Sequence, residues 1–242
     1  MYAFAGRLLR YSWTTPAKAA VRILIGALAL FLARTTVAHA APLTIVNVSA
    51  PAVNCKFDAS CKIVVTDTVA HFTLPATTGD AFLQSRTWPA GKPGTPGAGL
   101  VAYLYRIDMT RLAGLTALPC VNRLTLDFGP VSALDYNGDG GADRVFVITK
   151  GGIGTVKPSS ASESGSIITF NFVSPVCAGA SVGGGHSSYF FGLASSHPPH
   201  AVTAQIRDTL GGTHSLAARA PANAGTRAII DLSKPHVVIP HD

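Results

Sequence analysis

Apolar residues in this chain come in short runs, separated by clusters of Gly, Pro, Asn and Ser. The runs at 43–48, 61–66, 69–74, 100–109, 121–128 and 144–149 are rich in Val, Ile, Thr, Phe and Tyr. So are those at 166–173, 188–194, 201–206, 227–232 and 236–239. These residue types fit a pleated, half-buried surface, and the runs have the lengths of strands. Several alternate with period two. Leu124, Leu126 and Phe128 fall on one face, with Arg123, Thr125 and Asp127 on the other. Ile168, Phe170 and Phe172 repeat the arrangement against Thr169 and Asn171. Helical periodicity is thin: 108–115 suits one helical turn, and 208–218 holds no sustained 3.6-residue period. Many short strands with Gly- and Pro-rich turns predict an all-β chain, an antiparallel β-sandwich or flattened barrel. Alternating strand–helix units are lacking, so a doubly wound nucleotide-binding fold is not expected. No internal repeat or break in composition divides residues 41–242, which are expected to form a single domain.

The first forty residues differ from the rest. A basic stretch ends at Arg22, an apolar run covers 23–33, and Ala38 and Ala40 supply the small residues of an A-x-A cleavage site. Residues 1–40 therefore read as a secretory signal peptide, with a mature chain beginning near Ala41. An eleven-residue apolar run is short for a membrane span, and no later stretch approaches eighteen apolar residues, so no span is expected after cleavage. The charge follows the same boundary. The formal net charge is +7, but five of the 19 basic residues lie in 1–40, leaving 14 against 12 acidic residues. A nucleic-acid partner is not expected from so small an excess. With 48% hydrophobic and 13% charged residues, disorder is excluded.

All four cysteines, Cys55, Cys61, Cys120 and Cys177, follow the expected cut. An even count in an exported chain predicts two disulfides. Of the three connectivities, Cys55–Cys61 and Cys120–Cys177 are favoured. Zinc is disfavoured because no C-x-x-C pair exists. Compartment and cysteine use together predict a secreted or periplasmic protein.

Residues 135–143 carry the one motif with defined chemistry. They read Asp-Tyr-Asn-Gly-Asp-Gly-Gly-Ala-Asp, or D-x-N-x-D-G-x-x-D. Calcium takes six to eight oxygens, and alternate side chains of a tightly curled loop can converge on one ion. Gly140 permits the sharp turn. The loop resembles the calcium loops of EF-hands, dockerins and FG-GAP repeats, over about nine residues and not over the chain. The resemblance implies Asp135, Asn137, Asp139, Gly141 and Asp143 as ligands. It departs from an EF-hand where Phe146 stands in place of the bidentate Glu, and from propeller repeats because the chain holds one copy. The expected ion is calcium, in a structural role. The competing reading is a plain hairpin turn, since Asn137-Gly138 and Asp139-Gly140 are both turn dipeptides.

Other constellations carry less. His197-Pro-Pro-His200 cannot present its histidines at helical i, i+4 spacing. The stretch from Gly185 to Ser188 lacks the closing Gly of a nucleophile elbow, and residues 150–154 lack the helix that a phosphate loop needs. Glu163 is the sole Glu, which leaves few paired carboxylates for glycoside hydrolysis. In residues 89–99, seven of eleven are Gly or Pro, forming a connector or a binding loop beside Trp88. The expected function is an exported, non-enzymatic module that binds an extracellular protein or glycan. The alternatives are a carbohydrate-binding module using Trp88 and a secreted hydrolase with a site near His186 and His200.

Overall fold

The computed structural model describes residues 40–222. The expected signal peptide, Ala40 excepted, and the expected strands at 227–232 and 236–239 lie outside the described residues. The elements are β1 (Ala41–Leu43), β2 (Ile45–Ser49), α1 (Ala50–Cys55), β3 (Thr66–Phe72), β4 (Thr77–Gly79), β5 (Ala81–Thr87), β6 (Val101–Asp108) and β7 (Leu112–Gly114). They continue with β8 (Cys120–Asp127), β9 (Val145–Lys150), β10 (Ser160–Ser164), β11 (Ile167–Cys177), β12 (Phe191–Ser195), β13 (Pro199–Asp208) and β14 (Thr213–Pro221).

The strands build an all-β sandwich. The first sheet has the order β1-β10-β11-β8-β13-β14 and the second β2-β9-β12-β6-β5-β3. Every ladder in them is antiparallel except β2 on β9. Both sheets are open, so the flattened-barrel form is not adopted. A separate ribbon pairs β4 with β7.

Alternation decides what each strand buries. Leu124, Leu126, Ile168, Phe170, Ile206 and Leu216 of the first sheet meet Tyr103, Tyr105, Ile107, Val147, Phe191 and Leu193 of the second. Buried phenols need acceptors. Tyr103 donates to the His197 carbonyl at 2.6 Å, and Tyr105 donates across the sandwich to the Arg219 carbonyl at 2.7 Å. The second sheet is also covered on its other face. There Ala102, Leu104, Phe146, Ile148 and Phe190 pack with Val53, Phe57, Trp88 and Tyr136 from helix and loops. Strand β6 is therefore buried at every position, including Arg106 and Asp108, which pair with each other. Among the described residues the outer face of the first sheet has no such cover, and Arg123, Asp127, Gln205, Arg207 and Ser215 lie exposed on it.

Three strands carry too faint a pattern to be read in advance. In β5 the inward positions end in Ser85 and Thr87. In β10 only Ala161 is apolar, and in β14 the inward set is Leu216, Ala218 and Ala220. Their partners supply the ladder. Two expectations fail. The strand expected at 61–66 starts only at Thr66, because Cys61 holds a positive φ of 58° and Val64 is 84% exposed. The helical turn expected in 108–115 is instead β7, preceded by a turn in which the Asp108 carboxylate accepts from the amide and hydroxyl of Thr110. Helix α1 is not among the expected elements; the Ser49 hydroxyl caps the Ala52 amide and Pro51 fits its first turn.

Cys55 pairs with Cys61 and Cys120 with Cys177. The second bridge joins residues directly opposite in the β8–β11 ladder. The first closes the turn after α1. Asp58 in that turn accepts from the Ser60 amide and hydroxyl and pairs with Lys92 at 2.6 Å. The Lys92 ammonium, helped by Ser60, lowers the Asp58 pKa to about 2. A carboxylate lowered by folding stabilises fully above its unfolded pKa, near 3.9, and that stabilisation fades as pH falls through about 2. Asp58→Asn is thus expected to flatten the fall in melting temperature between about pH 4 and 2. Circular-dichroism melts across that range check it.

Candidate metal centre

Two backbone hydrogen bonds between Leu134 and Asp143 close the end of the 135–143 loop, at 2.9 and 3.1 Å. Tyr136 anchors it. Its ring is fully buried, 4.7 Å from that of Phe146 on β9. With one side chain sunk into the second core, the intervening residues must curl over it. Gly138 and Gly140 provide the curl at φ 83° and 86°, a region costly for other residues.

The curl gathers the acids. Asp135, Asp139 and Asp143 each place a carboxylate oxygen within 4.8 Å of the others. Backbone amides hold two of them in place. Asp135 accepts from Gly138 at 2.6 Å and Gly140 at 3.2 Å, and Asp139 accepts from Gly141 at 2.7 Å. Asn137 sits between them, donating its amide to Asp139 at 2.7 Å while its oxygen accepts the Asp139 amide hydrogen. The Gly141 amide and the Asn137 amide keep the Asp139 pKa below its ordinary value.

Asp143 is different. It is 4% exposed, and its Oδ2 atom is buried without a hydrogen-bond partner. Burial, with the charges of Asp139 and Asp135 adding to it, raises its pKa despite the opposing Tyr136 amide and Lys56. A buried, under-coordinated carboxylate facing two more carboxylates is electrostatically unfavourable, and a divalent cation with hard-oxygen preference answers it.

Lys56 is the functional neighbour that sequence reasoning missed. Its ammonium lies 4.0 Å from Asp135 Oδ2. It comes from the Cys55–Cys61 turn, far away in sequence, and no spacing signals the approach. The Gly/Pro segment holds that turn in place. Lys92 and Gly97 donate their amides to the Phe57 and Lys56 carbonyls at 2.8 and 2.7 Å. A Cβ on Gly97 would come within 2.9 Å of the Lys56 carbonyl. Residues 89–99 are accordingly a strap over the disulfide turn.

The other candidates do not assemble. Trp88, the expected stacking platform, is only 4% exposed and lies edge-on to Phe57 at 5.3 Å. It walls a surface cavity of about 410 Å³ with Phe190, Arg86, Ile63 and Ile148, but offers no open face to a sugar ring. His186 and His200 do not share a site. The His186 amide binds the Cys177 carbonyl, beside the Asp208 end of β13, whereas His200 lies at the opposite end of that strand. Eight residues at about 3.3 Å each put roughly 26 Å between the two ends.

No protein-family model, curated protein or solved structure matches the chain. The case for a site therefore stands on local geometry. Among the described residues, Asp135, Asp139 and Asp143 are the one group of three or more His, Cys, Asp or Glu side chains placed to share a metal ion. No described helix is long and apolar enough to cross a membrane.

Proposed function

We propose that this chain is an exported, non-enzymatic β-sandwich module whose 135–143 loop binds calcium, and that the module works by binding an extracellular or envelope macromolecule. The observation that carries the calcium reading is Asp143: a buried carboxylate with an unpartnered oxygen, turned toward two further carboxylates. Asn137 and the Gly141 carbonyl complete the proposed ligand set. Two disulfides support export to an oxidising compartment. The ion's role is structural. It ties the loop to β9 and neutralises charge that otherwise works against the fold.

Calcium titration by calorimetry tests the reading. Binding is expected in the range of about 10⁻⁴–10⁻³ M, where ligand sets lacking a bidentate Glu belong among extracellular modules. Asp139→Ala should remove it. Lys56→Gln should tighten it about threefold to tenfold, because a fixed positive charge beside the site opposes a second cation even after solvent screening. Heat of binding unchanged in Asp139→Ala would place the ion elsewhere and end the proposal.

A further inference from the structure

We infer that the outer face of the first sheet carries a binding site for an anionic sugar, with Arg123 and Arg207 holding its sulfate or carboxylate group. Arg123 on β8 and Arg207 on β13 stand directly opposite one another in the ladder. Both are exposed. Side chains so placed start about 5 Å apart, and like charges in that position repel. Each guanidinium also carries a fork of donors that matches an oxyanion. The repulsion and the forks share one remedy, a negative group between them.

The sheet shapes a place for it. A cavity of about 140 Å³ is lined by Arg123, Thr125, Gln205, Ile206, Arg207 and Thr213. That is the space of roughly four or five waters, enough for one tetrahedral or planar oxyanion with its first waters. No carboxylate of the described residues lines it. Asp127 lies on the same face of β8, four residues beyond Arg123 and so about 13 Å along the strand. Arg123 is held in position: its Nε donates to Asn171 Oδ1 at 3.1 Å, and Asn171 donates in turn to Ser160 at 3.2 Å. Among the described residues its terminal guanidinium nitrogens have no hydrogen-bond partner, which leaves their donors for a ligand.

The neighbouring rows point to sugar as the carrier of the charge. Ser160, Asn171, Arg123, Arg207 and Thr213 are successive ladder partners across five strands. The next row on the same face reads Ser162, Thr169, Thr125, Gln205 and Ser215. Hydroxyls and amides repeating at the strand spacing of about 4.8 Å suit a polyhydroxylated chain lying across the sheet. A nucleic acid fits less well, because no aromatic ring of the described residues lines the cavity for base stacking. The face belongs to the sheet opposite the one that carries the calcium loop, so the two proposals are separable.

The test uses the exported chain and calorimetric titration with three hexasaccharides: a sulfated glycosaminoglycan, an oligogalacturonate and a neutral β-glucan. At least one acidic oligosaccharide is expected to bind tenfold or more tightly than the neutral one, and to weaken in 0.5 M salt. Arg207→Gln should reduce that affinity at least tenfold, Arg207→Lys less, and Arg123→Gln with Arg207→Gln should abolish it. Arg207→Gln should melt at or above the wild-type temperature, which separates lost contact from lost fold. Binding should persist in chelator, whatever becomes of the calcium site. Equal affinity for the neutral glucan, or unchanged binding in the double variant, overturns the inference. So does binding of inorganic sulfate with no acidic oligosaccharide, or tighter capture of a single-stranded oligonucleotide through the same two arginines.

Discussion

Calcium at about 10 mM is expected to raise the melting temperature by about 5 °C, and Asp143→Asn is expected to abolish that rise while raising the melting temperature of the calcium-free protein. Both halves come from one buried carboxylate. Folding raises the Asp143 pKa, chiefly through burial and then through Asp139 and Asp135. A group whose pKa is raised on folding favours the native state fully below its unfolded value, near 3.9, and that advantage is lost as pH rises through the folded value. At neutral pH without an ion, ionised Asp143 therefore works against folding. Asparagine keeps the shape and removes the charge. Calcium removes the same penalty by pairing with the charge. With a dissociation constant of about 10⁻⁴–10⁻³ M, 10 mM calcium contributes roughly 1.4–2.7 kcal/mol by mass action. At about 2–4 °C per kcal/mol for a chain of this size, the shift is several degrees. Scanning calorimetry with calcium and with chelator, on both proteins, decides the matter. A wild-type chain indifferent to calcium, or an Asp143→Asn variant that responds equally, would falsify the site.

Removing the Cys120–Cys177 bridge by Cys120→Ser with Cys177→Ser is expected to cost about 4 kcal/mol, lowering the melting temperature by roughly 8–16 °C. The bridge spans 57 residues, so its loss restores much loop freedom to the unfolded chain. It also sits where three segments meet. Cys120 accepts from the Thr209 amide after β13, Cys177 accepts from the His186 amide, and the β8–β11 register shifts just before the pair. Losing the Cys55–Cys61 bridge, which spans six residues, should cost about half as much. Urea unfolding of both double variants measures the ratio. Equal losses would mean that native contacts, rather than unfolded-chain entropy, set the value of each bridge.

Legibility in the sequence tracked the size of the side chains. Strands β6, β8, β11 and β13 bury Leu, Ile, Phe and Tyr, and their spans were recognisable to within a few residues. Strands β5, β10 and β14 bury mainly Ser, Thr and Ala, with one Leu each in β5 and β14, which write a weaker alternation. The apolar run at 61–66 shows the converse: Val64 and Val65 have a strand's composition, yet the disulfide turn carries them into solvent. The candidate site divides in the same way. Its carboxylates lie within nine residues and were readable from spacing alone. Lys56 was not, because it reaches Asp135 from a different part of the chain.

Local pattern thus determined the all-β class and the acidic loop, since each depends on neighbours in the chain, and it left the four cysteines three pairings with one favoured. Tertiary structure decided everything that needs a second segment. It buried Trp88, parted His186 from His200, brought Lys56 to the loop, and set Arg123 against Arg207. The physical reason is that burial and charge are properties of surroundings. A residue's environment is composed of whatever the fold packs against it, and in a sandwich those atoms come from strands far apart along the chain.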